Sequence, residues 1–332
     1  MERRVRSFFC WFYMKSSWQR GSRIFRLSRL AILMVVLAGC GGGSSSVPVS
    51  GGGGGTGGGG GTGGGGGGGS ALPTGHIFLL IEENHGFSAV IGSSSMPYLN
   101  SLAMQNGLAM QYFANTHPSI GNYFMLTTGK IETNDDSFSG VISDDNIVRQ
   151  LNSAGISWRS YAESLPQVGY TGGNTGSYLR RHNPFSYFSD VVNDTSQATN
   201  LVPFSQFAGD LAGGNLPPFT YIVPDATHDA HDGTLAQADQ WLQQNIQPLL
   251  ASSLFQKDGL LILTWDEAED SDTAHGGGHI ATLIISAKAK PGFQSQNLYQ
   301  HESVLRLILS SLGVSDFPGA SAMAPSMNEF FD

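Results

Sequence analysis

Cysteine is almost missing from this chain. Among 332 residues only Cys10 and Cys40 occur. Neither leaves a free thiol in the body that follows, which excludes disulfides, thiolate metal ligands and a cysteine nucleophile there. Positive charge is scarce as well. Of 17 Lys and Arg against 26 Asp and Glu, eight basic residues and one acidic residue precede Cys40, which leaves nine against 25 and a net −16. A body of that charge excludes a broad basic surface for nucleic acid. It also excludes electrostatic docking on anionic lipid. An anionic substrate then has to be captured locally, by a metal, helix termini or histidines. Long apolar runs are missing too. The run Leu30 to Leu37 falls well short of the roughly 20 residues that a spanning helix needs.

What the first 70 residues do contain reads as delivery. Arg3, Arg4, Arg6, Lys15, Arg20, Arg23, Arg26 and Arg29 precede the apolar run, which ends in Leu37-Ala38-Gly39-Cys40. That ending resembles the lipobox of bacterial lipoproteins. Residues 1–40 are therefore expected to be a lipoprotein signal peptide, with Cys40 lipidated and Met14 an alternative start. An uncleaved membrane anchor is the competing reading. Residues 41–70 are almost entirely Gly, Ser and Thr, a flexible tether with a reach on the order of 30 Å. The expected location is the bacterial cell envelope, lipid-anchored and facing the periplasm or the exterior.

Residues 71–332 have the length of one α/β domain. Short β-branched or aromatic runs predict strands at His76–Ile81, Gly155–Tyr161, Phe219–Val223, Leu260–Trp265 and Ile280–Ser286. Helical spacing of apolar residues predicts helices at Met96–Asn106, Leu235–Leu250 and Ser303–Leu312. Alternation of this kind predicts a mainly parallel central sheet covered on both faces, a three-layer αβα fold. Three of the strands end in polar residues: Glu82-Glu83-Asn84, Pro224-Asp225 with His228 and His231 behind it, and Asp266-Glu267. Ligands in open α/β sheets bind beyond the carboxyl ends of the strands, so the three ends are expected to converge on one site.

Ser119 lies in Thr116-His117-Pro118-Ser119-Ile120-Gly121-Asn122-Tyr123, where an extended segment turns into a short apolar helix. Alone it reads first as a helix cap. With Glu83, Asn84, Asp266 and Glu267 it forms an oxygen-donor set for a divalent ion such as Mn²⁺, Ca²⁺ or Mg²⁺, or Zn²⁺ if a histidine joins. A metal can hold a serine hydroxyl as alkoxide, which suits phosphoryl transfer. His228-Asp229-Ala230-His231-Asp232 is a second polar cluster, read either as phosphate contacts and a proton donor or as a solvated loop capping the next helix. His279, after a glycine loop, brings an imidazole to a strand start. His117 flanks the serine and is a candidate for substrate contact. His182 reads as structural, and Glu163 as at most a supporting residue. The segment from Glu163 to Phe207 is expected to wall the pocket.

These motifs, in this order from His76 to about Gly313, resemble the bacterial phosphoesterase family that includes metal-dependent acid phosphatases and phospholipase C enzymes, within the alkaline phosphatase superfamily. The resemblance implies an alkaline phosphatase-like fold and a metal held by Glu83, Asn84, Ser119, Asp266 and Glu267. It implies Ser119 as nucleophile through a phosphoserine, Asn122 and helix N–H groups on phosphate oxygens, and His228, His231 and His279 as charge-stabilising or proton-donating groups. Two positions depart from the family's pattern: Gly121 replaces a frequent proline, and Glu267 a frequent aspartate. The expected function is a lipid-anchored, acid phosphatase-like phosphomonoesterase acting on a small-molecule or lipid phosphate ester. A phospholipase C-type phosphodiesterase and a non-catalytic surface binding lipoprotein are the alternatives.

Overall fold

The computed structural model describes residues 72–331. The expected signal peptide with Cys40, and the tether 41–70, lie outside the described residues. Eight strands form one sheet: β1 (His76–Glu82), β2 (Gly107–Tyr112), β3 (Trp158–Ala162), β4 (Leu201–Pro203), β5 (Phe219–Val223), β6 (Gly259–Trp265), β7 (Thr282–Ile285) and β8 (Gln294–Tyr299). Their order is β4-β3-β5-β1-β6-β7-β2-β8. Every pairing is parallel except those of β7 with β6 and with β2. The central strands β1, β5 and β6 are buried along their whole described length apart from His76. Burial on both faces is why they read as continuous apolar runs rather than as alternating ones.

Helices cover the sheet in two groups. Pro97–Gln105 packs against Leu235–Ala251, and Ile120–Thr128 packs against His301–Ser311. The Leu235–Ala251 helix begins at a reciprocal capping box of Thr234 and Gln237, which satisfies N–H groups that the first turn would otherwise leave free. The Asp239 carboxylate on that helix accepts the N–H groups of Tyr98 (3.0 Å) and Leu99 (2.8 Å), and so caps its neighbour. All five expected strands are present, that at Gly155–Tyr161 starting only at Trp158 as β3 and the last shortened to β7. Strands β2, β4 and β8 were not expected. No helix among the described residues is long and apolar enough to cross a membrane.

Candidate active site

β1 and β6 run side by side with Glu82 opposite Trp265. Glu83 and Asp266 therefore leave the sheet together, at its carboxyl edge. Asp266 N donates to Glu82 O at 3.0 Å, and Asn84 N donates to Asp266 Oδ1 at 3.1 Å. Asn84 takes a left-handed backbone conformation, φ 57°, a region that asparagine enters more readily than most residues. Ser119 is delivered from the other side, directly ahead of the fully buried helix Ile120–Thr128. Its hydroxyl makes no capping bond to that helix. Ser119 Oγ lies 3.3 Å from Glu83 Oε2 and 3.3 Å from Glu267 Oε1. The cap reading of Ser119 is thereby replaced: an Asp136 oxygen accepts the Ile120 N–H at 3.1 Å instead.

Asn122 and His117 hold Glu267. Asn122 Nδ2 donates to Glu267 Oε2 at 3.2 Å and to Thr116 O at 2.8 Å, while its Oδ1 accepts the N–H groups of Asn115 and Thr116. His117 Nδ1 is 3.0 Å from Glu267 Oε2. Gly121 has a direct reason to lack a side chain, because a Cβ there would collide with Asn134 Oδ1 and Thr116 Cγ2. The strand-like loop behind the serine and the loop carrying Asp136 close on that glycine.

Glu83 is fully buried and doubly held. Tyr123 donates its hydroxyl to Glu83 Oε1 at 2.7 Å, and His182 Nε2 lies 2.8 Å from the same oxygen. The other ring nitrogen of His182, Nδ1, is 3.0 Å from Asp229 Oδ2. Burial alone would raise Glu83, but the His182 charge and the bonds from His182 and Tyr123 outweigh it and hold the carboxyl at about 2. Burial likewise opposes charge on His182, yet Glu83 and Asp229 lift it to about 9. The other two carboxyls move the opposite way. Burial, then the Glu83 and Glu267 charges, raise Asp266 well above the carboxylate range. Burial and the Glu83 charge push Glu267 up to about 8. His182, read from sequence as structural, thus sits at the centre of the site.

The remaining candidates sort by distance. The His231 ring lies 5.8 Å from the His182 ring, with Nδ1 2.8 Å from Asp232 Oδ1 and Nε2 2.9 Å from Arg181 Nη2. His228 belongs to a separate group, its Nδ1 2.9 Å from Glu163 Oε2 and 3.4 Å from Asp225 Oδ1. That group borders a cavity of about 400 Å³ lined also by Gln237, Gln240 and Trp241. His279 stacks on Phe87 and Phe113 and its Nε2 contacts Met110 O at 3.0 Å. Among the described residues, no hydrogen bond or ion pair joins His228 or His279 to the Ser119 cluster. Arg181 and Asp136 were not singled out from the sequence, and Tyr123 and Asp229 only as members of their motifs, although Arg180-Arg181-His182 is conspicuous in so cation-poor a body.

The donor set fits a hard divalent cation. Glu83, Asp266, Glu267 and the Ser119 hydroxyl supply oxygen donors at one place, and Asp266 Oδ2 is a buried carboxylate oxygen with no hydrogen-bond partner. A buried carboxylate oxygen left unpaired costs several kcal/mol unless a cation meets it, on the order of 1–3 kcal/mol even for a neutral acceptor. Three further groups, Glu83–His182–Asp229, His117–Glu267–Asp270 and Glu163–Asp225–His228, bring potential ligand atoms within 4.8 Å of one another. In the first of these the imidazole of His182 already bridges the two carboxylates.

A model of the "Phosphoesterase family" matches residues 92–315. A phosphatidylinositol-3-phosphatase of Mycobacterium tuberculosis is 34% identical over 266 residues, 79% of this chain and 85% of that protein. A probable acid phosphatase of Kluyveromyces lactis is 35% identical over 69% of this chain and 56% of its own length. The chain spans about half the length of that relative and of the other fungal acid phosphatases it matches. Among solved structures, a protein in the alkaline phosphatase superfamily from Vibrio parahaemolyticus superposes with a TM-score of 0.53 at 14% identity, over 74% of this chain and 69% of that one. The lipoteichoic acid synthase LtaP of Listeria monocytogenes does so at 0.54 and 11%, over 78% and 77%. These two likenesses establish the alkaline phosphatase-like α/β fold.

Proposed function

The chain belongs to the Phosphoesterase family, and on that premise we propose that it is an envelope-anchored phosphatase that cleaves phosphate monoesters through Ser119. Phosphoester hydrolysis follows from the family and from relatives named as phosphatases. The observation that carries the finer reading is the Ser119 hydroxyl, uncommitted to its helix and 3.3 Å from each of two carboxylates.

Glu83, Asn84, Ser119, Asp266 and Glu267 are the residues that would hold a divalent ion. Bound there, such an ion would favour the serine alkoxide and offset charge on the phosphoryl oxygens. The chain's own groups do the rest. Glu83 and Glu267 fix the Ser119 oxygen and offer acceptors for its proton. Ser119 Oγ bonds to phosphorus as the bond to the leaving alkoxide breaks. The alkoxide takes a proton from solvent or through His231, a part-exposed imidazole whose ring lies 5.8 Å from that of His182. Water then cleaves the phosphoserine and releases phosphate. Asn122 and His117 keep Glu267 aimed, and Tyr123 and His182 do the same for Glu83. Among the described residues no hydrogen bond or ion pair ties His228 or His279 to this cluster, and neither has a step in the reaction.

The substrate class we favour is a small or lipid phosphate monoester. The name of the mycobacterial relative and the expected lipid anchor at Cys40 support it. Hydrolysis of an aryl phosphomonoester and an aryl phosphodiester, with metal added or chelated and with Ser119→Ala alongside, tests the reading. Monoester turnover requiring both metal and Ser119 is expected. A preference for the diester would replace it with a phospholipase C-type activity, and no turnover of either ester would favour a binding lipoprotein.

A further inference from the structure

We propose that Arg181 binds the phosphoryl oxygens of the substrate, and that Asp136 and His231 hold it in place until the substrate arrives. The proposal rests on the phosphatase reading above.

Charge singles out Arg181. An anionic substrate approaching a body of net −16 needs a cation at the site, and only nine Lys and Arg follow Cys40. Lys130, Arg149, Arg159 and Lys288 are paired with Asp144, Asp190, Asp210 and Asp258. Arg180 turns away, donating to Ser186 O and lying over the Tyr187 ring. Arg306 donates to the carbonyls of Ala322 and Ala324, and Lys290 lies over Phe293. Lys257 lies in the last turn of the helix that feeds the start of β6, at the edge of the sheet remote from Ser119. Arg181 is left as the one guanidinium among the described residues that touches the site.

Arg181 faces one partner on each side. Its Nη2 lies 2.9 Å from His231 Nε2, and its Nε lies 3.5 Å from Asp136 Oδ2. That Nε is buried and has no hydrogen-bond partner. The guanidinium therefore retains an unspent donor inside the protein. Asp136 in turn accepts the Ile120 N–H at 3.1 Å, one residue past the serine. A carboxylate bonded to the first N–H of a nine-residue helix and facing an arginine at 3.5 Å occupies a place that suits an oxyanion. A phosphoryl group on Ser119 would meet the same two donors, and guanidinium matches phosphate in a two-point fork.

The same contact constrains His231. A guanidinium only donates, so His231 Nε2 accepts from Arg181 and its Nδ1–H faces Asp232 Oδ1 at 2.8 Å. Both ring nitrogens are thus engaged. Movement of Arg181 onto phosphate frees Nε2, so substrate binding itself releases the imidazole.

The test is calorimetric binding of inorganic phosphate to the metal-loaded full-length protein, with phosphate inhibition of aryl phosphate hydrolysis beside it. Arg181→Gln is expected to weaken phosphate binding about ten- to hundred-fold. KM should rise by a similar factor, with Arg181→Lys in between. Asp136→Asn removes the competing carboxylate and is expected to tighten phosphate binding several-fold. Phosphate affinity within two-fold of wild type in Arg181→Gln overturns the proposal, even if kcat falls. So does a wild-type protein that binds no phosphate, or an Asp136→Asn protein that binds it more weakly. Phosphate binding that needs Arg181 in a protein without turnover would instead sink the Ser119 mechanism and leave this inference standing.

Discussion

A serine hydroxyl gains its chemistry from what surrounds it, and Ser119 is surrounded by acids. Its Oγ faces Glu83 and Glu267 and leaves its helix uncapped. Ser119→Ala removes no capping bond, so its melting temperature is expected within a few degrees of wild type while turnover falls by about three orders of magnitude or more. His182 is the opposite case. Its ring bridges Glu83 and Asp229, both buried, and removing one partner of a buried ion pair costs about 3–5 kcal/mol. His182→Ala is therefore expected to shift urea unfolding by an amount of that order, besides slowing catalysis. An unchanged unfolding midpoint would contradict the bridging role. Glu83, Ser119, Asp266 and Glu267 were legible because each follows a strand or opens a helix, where period and topology give its place. His182 and Arg181 were not. They lie in the irregular segment from Glu163 to Phe207, whose fold depends on long-range contacts rather than on any local pattern.

At the scale of elements, what could be read was set by burial. Strands β1, β5 and β6 are apolar throughout and announced themselves. β8 has the sequence Gln-Ser-Gln-Asn-Leu-Tyr and is an edge strand mostly open to solvent, so it carries no apolar signal. β4 has three residues, and β2 contains no β-branched residue. The Pro97–Gln105 helix starts without a cap of its own because Asp239 supplies one from a neighbouring helix. Asp239→Ala is expected to cost about 1–2 kcal/mol in denaturant unfolding, the range for a lost cap. The last long helix opens at His301, two residues ahead of the expected start at Ser303; Gln300 is its capping residue, and Ser303 Oγ is buried without a partner. His301 Nε2 contacts Asp266 O at 2.7 Å and its Nδ1 contacts Tyr112 Oη at 3.2 Å. Burial lowers this imidazole to about 4, against a small raising effect of the Asp266 carbonyl. The unfolded chain, with a histidine near 6.5, binds the proton first as pH falls. His301 therefore destabilises the fold progressively from about pH 6.5 down to about 4, by about 3 kcal/mol at most. Thermal melts across that window should show a shallower pH dependence in His301→Gln than in wild type.

For the whole molecule, few cations and many buried acids are expected to make stability depend on a bound cation. The carboxyls of Glu83, Asp266 and Glu267 are buried at one edge of the sheet, and a ligand that binds only the folded form stabilises it by about 2.7 kcal/mol at a hundred times its Kd. Chelation is expected to lower the melting temperature and added divalent metal to restore it, while Ser119→Ala should keep most of that response. The family and the general fold could be read from the order of acid-tipped strands. The closure of the site could not, since Asp136, Arg181 and Asp229 come together only through the tertiary fold. The central claim is that Ser119 carries the phosphoryl group between substrate and water. Acid quenching of the full-length protein during turnover of an aryl phosphate, followed by peptide mass spectrometry, tests it most directly. The account predicts a phosphoryl group on the peptide containing Ser119, absent in Ser119→Ala. Turnover with no phosphorylated Ser119 at any quench time, or with the same rate in Ser119→Ala, would contradict it.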